Sequence, residues 1–111
     1  MILRAAVLIG VANSAIPDYL IPQHYPRSSM ARDVEVADLD LDGDPDVVLS
    51  CREGDSLSIF ENVGNGQLAL ASEYLFPESP HPYSVAVGDL DQNGLPDLLL
   101  GTWRQVVILM Q

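Results

Sequence analysis

Residues 34–50 read VEVADLDLDGDPDVVLS, and residues 83–102 read YSVAVGDLDQNGLPDLLLGT. The two stretches are copies of one another at a shift of 51 positions, which pairs Val34 with Val85, Val36 with Val87, Asp38 with Asp89, Leu39 with Leu90 and Asp40 with Asp91. The same shift pairs Gly43 with Gly94, Pro45 with Pro96, Asp46 with Asp97 and Leu49 with Leu100, and extends back through Ser28/Ser79 to Pro26/Pro77. Eleven of these twenty-four ungapped pairs are identical, where composition alone supplies about one or two. The chain therefore contains an internal repeat, and a repeat of this length means stacked copies of one supersecondary unit.

The unit is built of strands. Val34 and Val36 flank Glu35, and Val85 and Val87 flank Ala86, which is the two-residue period of a strand. After each acidic window comes an apolar run, Val47-Val48-Leu49 or Leu98-Leu99-Leu100, short and β-prone enough to be a strand buried on both faces. A third strand is expected at Leu57 to Phe60 and at Val106 to Met110, and a fourth at Leu68 to Phe76, after a turn at Asn62-Val63-Gly64-Asn65-Gly66. Four short antiparallel strands per repeat, with turns rich in Gly, Pro and Asn, make up a β-propeller blade. The expected fold is all-β, a partial propeller of about two four-stranded blades.

The loop between the first and second strands carries the chemistry. DLDLDGDPD and DLDQNGLPD share the pattern D-x-D-x-[DN]-G-x-x-D. Oxygen donors at positions 1, 3 and 5 of a tight turn converge on one point, the glycine at position 6 permits the bend, and position 7 offers a backbone carbonyl. Position 9 adds a last carboxylate. Hard oxygen donors in this number select Ca²⁺ over Mg²⁺, which keeps more water, and over Zn²⁺, which prefers nitrogen and sulfur. An EF-hand needs a glutamate at position 12, where this chain has Leu49 or Leu100, and a helix on each side.

Charge supports the same focus. Sixteen acidic residues stand against five basic ones, for a net charge of −11 over 111 residues. Half of the acids lie in the two windows, unlike the spread of a solvated acidic surface. Such a chain repels phosphate backbones, so no nucleic-acid partner is expected, and the same repulsion disfavours anionic membrane surfaces. No stretch reaches the roughly 18 apolar residues of a membrane span. A single cysteine, Cys51, forms no intrachain disulfide.

These segments, with LSIFENVGNGQL at residues 57–68, resemble the calcium-binding core of FG-GAP/VCBS repeats, the blades of integrin alpha-type β-propellers. The resemblance covers about residues 16–111. It implies a ring of about seven or eight blades, each loop of this type holding one Ca²⁺. By that resemblance Asp38, Asp40, Asp42 and Asp46 bind through side chains and Asp44 through its carbonyl. In the second copy Asp89, Asp91, Asn93 and Asp97 bind through side chains and Leu95 through its carbonyl. Two Ca²⁺ sites are thus expected. The Phe-Gly dipeptide of the family is absent, which favours the VCBS comparison over the integrin one.

In this frame residues 26–76 form a full blade and residues 77–111 a second, C-terminally incomplete one. Residues 1–25 take one of two readings. Arg4, the apolar run from Ala5 to Ala12 and the small residues after it outline a short secretory signal, although Asn13 spoils the cleavage pattern. The preferred alternative makes them outer strands of a preceding blade, since Ala6 to Ile9 falls under Leu57 to Phe60 at the repeat shift. About two repeats are fewer than a closed propeller takes. Further blades in a longer chain, or self-association of copies into a ring, would complete it.

For catalysis the chain offers little. His24 and His81 lie in Pro-containing loops, and Cys51 follows a strand with no neighbouring base, so surface or structural roles are expected. The crowded carboxylates suit a cation better than the separated pair a glycosidase requires. Tyr83 and Trp103 alone hint at a ligand, with packing the simpler role. Two function classes follow. The first is a non-catalytic, calcium-stabilised module for adhesion or for binding protein or carbohydrate. The second is the propeller portion of a calcium-dependent polysaccharide lyase or hydrolase, disfavoured because five scattered arginines supply little of a basic, aromatic-lined cleft. The family and the weak-site regime of extracellular calcium modules imply an extracellular or cell-envelope location.

Overall fold

The computed structural model describes residues 23–25, 30–78 and 80–111. The signal or strand assigned to the N-terminal residues therefore falls largely outside the described residues. Seven strands follow in order: β1 (Ala31–Ala37), β2 (Asp46–Cys51), β3 (Ser56–Asn62), β4 (Leu68–Leu75), β5 (Ser84–Gly88), β6 (Asp97–Gly101) and β7 (Val106–Leu109). They form a four-stranded sheet, β1-β2-β3-β4, and a three-stranded sheet, β5-β6-β7, with every neighbour antiparallel. The described residues contain no helix long and apolar enough to cross a membrane.

Each strand expected after residue 30 forms, and the registers of the two copies match. Val34 pairs with Leu49 and Val36 with Val47 in the first sheet, as Val85 pairs with Leu100 and Val87 with Leu98 in the second. The two acidic windows connect β1 to β2 and β5 to β6. They lie at one end of both sheets. The β2–β3 and β6–β7 turns lie at the other, because each strand reverses the chain direction.

How the sheets meet follows from which face each one buries. In the second sheet Val85, Leu98 and Leu100 are buried, and Val87, Val107 and Leu109 pack beside them. By the pairing register these six side chains share one face. In the first sheet the buried partners are Val48 and Leu57, with Ile59 and Ala37 beside them and Leu39 inserted from the acidic turn. Val48 corresponds to Leu99 at the repeat shift, and Leu99 points to the opposite face from Leu98 and Leu100. The two copies therefore bury opposite faces. They stack front to back, like successive members of a series, and not as a mirror-related sandwich.

Repeat-equivalent residues differ in burial for this reason alone. Leu39 is 8% exposed and its equivalent Leu90 is 47% exposed; Val85 is 5% exposed and its equivalent Val34 is 55%. The expectation that β2 and β6 are buried on both faces is corrected accordingly. Val48, Leu98 and Leu100 are buried, whereas Val47, Leu49 and Leu99 are half-buried, because among the described residues no further sheet packs on the outer face of either sheet.

Polar contacts lock the stack. Asp33 on β1 accepts a hydrogen bond from the Val85 amide of β5 (3.0 Å) while its other oxygen accepts from Val34. At the acidic end the Gln111 side-chain amide donates to the Leu39 carbonyl (3.1 Å). Tyr25 sets its ring edge against Phe60, 6.2 Å between centroids, and its hydroxyl accepts from the Leu68 amide.

The front-to-back stack makes a paired prediction. Val85→Ala should cost about 1–3 kcal/mol from lost apolar burial and the cavity left behind. Val34→Ala, at the same repeat position, should cost less than about 0.5 kcal/mol. Urea unfolding of the two variants measures both, and equal losses would show that the stack does not form in solution.

Candidate metal centre

Each acidic turn is wound around its own carboxylates. In the first, the Asp42 amide donates to both Asp38 Oδ1 and Asp40 Oδ1 (3.1 Å each), the Gly43 amide to Asp38 Oδ2 (2.9 Å) and the Asp44 amide to Asp42 Oδ1 (2.9 Å). The second turn repeats the scheme. The Asn93 amide donates to Asp89 Oδ1 (3.1 Å) and Asp91 Oδ1 (3.2 Å), the Gly94 amide to Asp89 Oδ2 (2.8 Å) and the Leu95 amide to Asn93 Oδ1 (2.9 Å). Side-chain oxygens capturing amides two to five residues ahead are what Asp and Asn do best in turns.

Glycine at position 6 is required by conformation. Gly43 and Gly94 have φ of +96° and +88°, a region that β-carbons disfavour. A Cβ on either would meet nothing within 4 Å, so the backbone angle and not crowding selects glycine. Position 4 also turns left-handed, with φ of +62° at Leu41 and +60° at Gln92. Its residue identity carries no signal for this, and the cost of about 1 kcal/mol per residue is carried by the surrounding hydrogen bonds.

Position 9 plays a different part. Asp46 is buried at the head of β2, and its oxygens accept from the Leu39 amide (2.8 Å) and the Asn62 amide (2.9 Å). Asp97 is buried equally, accepting from Leu90 (2.8 Å) and Gln111 (2.9 Å). Each carboxylate ties the start of its turn to the end of the third strand of its sheet. The Asn62 side chain reinforces the first tie by donating to the Pro45 carbonyl (3.0 Å). In the second, Asn93 donates to the Gln111 carbonyl (3.1 Å). Asn62 and Gln111 were not among the sequence-derived site residues, since nothing local links them to turns 16 and 14 residues away.

Oxygens of Asp38, Asp40 and Asp42 lie within 4.8 Å of one another, as do those of Asp89, Asp91 and Asp97. Asp46 and Asp44 are not in the first of these groups. Crowding of like charge has a cost: Asp40 has its pKa raised, first by loss of hydration and then by Asp42 and Asp46 nearby. Hard oxygens held this close offer a divalent cation several short contacts at once, and a cation would remove the repulsion between them.

The remaining sequence candidates come together at the opposite end. The ring of Tyr83 lies 6.2 Å from that of Trp103 at an interplanar angle of 33°. The guanidinium groups of Arg32 and Arg52 sit 5.7 and 5.2 Å from the centre of the Tyr83 ring. Arg104 lines a cleft together with Arg52, Tyr83 and Trp103. The arginines that look scattered in sequence are thus gathered: all three that are described, Arg32, Arg52 and Arg104, converge here. His81 lies at the edge, its Nδ1 3.1 Å from Asp55, and His24 is exposed elsewhere. Cys51 lies buried in β2 and forms no disulfide among the described residues.

Asp97 makes the acid sensitivity of the metal-free protein predictable. Backbone amides of Gln111 and Leu90 hold its carboxyl below the usual carboxylate range, outweighing desolvation. A pKa depressed by folding gives stability that is present above the unfolded value of about 3.9 and is lost as pH falls through the lower folded value. Denaturant midpoints of the protein in chelator should therefore fall below about pH 4. The Asp97→Asn variant should show a shallower fall, and an unchanged slope would show that this carboxylate does not couple folding to protons.

Comparison with models of known families gives a match to the FG-GAP-like repeat over residues 38–100. A search of curated proteins gives no match. The matched segment starts at the first carboxylate of the first turn and ends on β6, so it spans both acidic turns and more than half of the chain. On that match, and with two antiparallel sheets repeating one register, the chain belongs to the FG-GAP-like repeat family.

Proposed function

We propose that this chain is a calcium-stabilised, non-catalytic pair of propeller blades that serves as a binding or adhesion module outside the cell or in its envelope. The single observation that carries the metal reading is the convergence of carboxylate oxygens to within 4.8 Å in both copies of the same turn. Asp38, Asp40 and Asp42 would supply side-chain oxygens in the first turn. Asp89, Asp91, Asn93 and Asp97 would do so in the second, with the carbonyls of Asp44 and Leu95 completing each set. Asp46, committed to the Leu39 and Asn62 amides, can still add a lone pair to the first site. Two bound Ca²⁺ would bring the formal charge from −11 to −7. Exposed sites of this kind suit the high calcium of extracellular fluids.

The propeller reading is supported by the direction of stacking. A front-to-back contact between repeats is heterologous, so the face left over at each side is of the kind that another repeat buries. The Val34/Val36 face of the first sheet is equivalent to the Val85/Val87 face that the second sheet buries. Ile108 and Leu90 on the second sheet stand where Ile59 and Leu39 receive a neighbour. Further blades, from a longer chain or from other copies, would cover both. Carboxylates this crowded also argue for a cation over glycoside chemistry, where the two acids stand about 5 Å or more apart.

Millimolar Ca²⁺ should raise the thermal midpoint, chelator should lower it, and Mg²⁺ should substitute poorly. Titration calorimetry should give two binding equivalents, with Asp40→Ala and Asp91→Ala each removing one. An unmoved midpoint, or both variants keeping two equivalents, would refute the metal reading.

A further inference from the structure

The end of the molecule opposite the acidic turns holds a cleft of ≈ 560 Å³. Its walls are the β2–β3 turn, the connection from β4 to β5 and the β6–β7 turn. Hydrogen bonds between these segments fix its shape. The Phe76 amide donates to the Asp55 carbonyl (2.8 Å), the Trp103 amide to the Pro80 carbonyl (3.2 Å) and the His81 amide to Asp55 Oδ1 (2.8 Å). Asp55 and His81 are held left-handed, at φ of +44° and +50°, a backbone state that residues other than glycine keep only where their surroundings over-determine it. The cleft is therefore preformed, as small-molecule sites usually are.

Charge cancels along these walls. Arg52 is paired with Glu53 (3.2 Å), and His81 Nδ1 lies 3.1 Å from Asp55. That leaves Arg104 and Glu78, one group of each sign, and among the described residues neither makes a side-chain hydrogen bond or ion pair. A charged ligand of either sign gains one of these two groups and is opposed by the other. An uncharged ligand that both donates and accepts hydrogen bonds satisfies both. Beside them Trp103 is 68% exposed, while the neighbouring Tyr83 ring, 6.2 Å away, is already engaged by the guanidinium groups of Arg32 and Arg52. The ring that lies open to a ligand is the Trp103 indole.

We propose that this cleft is a binding subsite for an uncharged pyranose unit of a glycan. A pyranose chair presents a C–H face and a rim of hydroxyls, each of which both donates and accepts. The C–H face covers Trp103, one hydroxyl donates to the Glu78 carboxylate and another accepts from the Arg104 guanidinium. A proline-rich peptide also covers an exposed aromatic ring. Its carbonyls only accept and its prolines carry no N–H, which leaves Glu78 without a donor. The inference rests on the binding-module reading and deepens it by naming the ligand class, and it does not depend on the metal turns at the other end.

Trp103 is the sole tryptophan of the chain, so its fluorescence reports on this cleft alone. The full chain is titrated, in chelator and again in millimolar Ca²⁺, with cellotetraose, mannotetraose and galactotetraose, neutral glycans that differ in the orientation of their hydroxyls. A saturable change in Trp103 emission is expected in both buffers with at least one of them. Its Kd should move less than about twofold between about 0.05 and 0.5 M salt, since the ligand carries no charge to screen. Glu78→Ala and Arg104→Ala should each weaken that binding by about tenfold with the thermal midpoint unchanged, and Glu78→Gln, which keeps an acceptor, should lose less. Tetragalacturonate, the glucosamine tetramer and decaproline, which are anionic, cationic and peptidic in turn, should bind more weakly. No saturable change with any neutral glycan up to about 10 mM, an equal response to any of the three controls, or full affinity in both alanine variants would overturn the assignment. A response seen only with Ca²⁺ would place the contact at the acidic turns and overturn it too. The metal reading fails separately, by an unmoved melting midpoint while the tryptophan signal persists.

Discussion

A buried carboxylate at the ninth position of each acidic turn governs the rest of the architecture. Asp46 and Asp97 are removed from solvent at the heads of β2 and β6. Burial of an ionised group is tolerated only where donors replace water. Two backbone amides do so in each case, one from the start of the turn and one from the end of the third strand. This contact sets the height at which the turn leaves the sheet. It brings Leu39 into the space between the sheets and turns the remaining acids outward, where they converge. Core and candidate metal site thus share one anchor.

Much of this architecture was legible in the sequence because it depends on periodicities and on residues with few conformational options. Alternation at Val34/Val36 and Val85/Val87, apolar runs after each window and glycine at position 6 each have a local physical meaning, and each lies where that meaning put it. What escaped depends on partners far along the chain. The clamps made by Asn62 and Gln111, and the Asp33 tie to Val85, join residues 14 to 52 positions apart. The left-handed backbone at Leu41 and Gln92 escaped because hydrogen bonds of neighbouring carboxylates impose it, not those residues themselves. Which face of each repeat is covered was invisible as well. Copies with the same pattern acquire different burial only through the direction in which they stack.

The gathering of arginines shows the same limit more sharply. Arg32, Arg52 and Arg104 belong to three different segments, and no spacing along the chain relates them. Strand reversal alone brings them together: the start of β1 and the β2–β3 and β6–β7 turns all fall at the end away from the acids. Evenly spread basic residues in a β-rich repeat therefore say little about where positive charge will collect.

The repeat itself divides the molecule into an end that recurs and an end that varies. Identities between the two copies concentrate in the acidic turns and their flanking strands, from Val34/Val85 to Leu49/Leu100. The opposite end differs: Arg32 stands at the position of Tyr83 and Asp33 at that of Ser84. A turn that must clamp a strand and wind its own amides around its carboxylates permits few substitutions, so its copies remain alike. A cleft built between the tips of two neighbouring repeats has no such duplicate, because its two sides come from different copies. Side chains there are free to diverge without disturbing the clamp. An array of such repeats would accordingly carry the same acidic end in every member, while each junction at the other end has its own set of side chains.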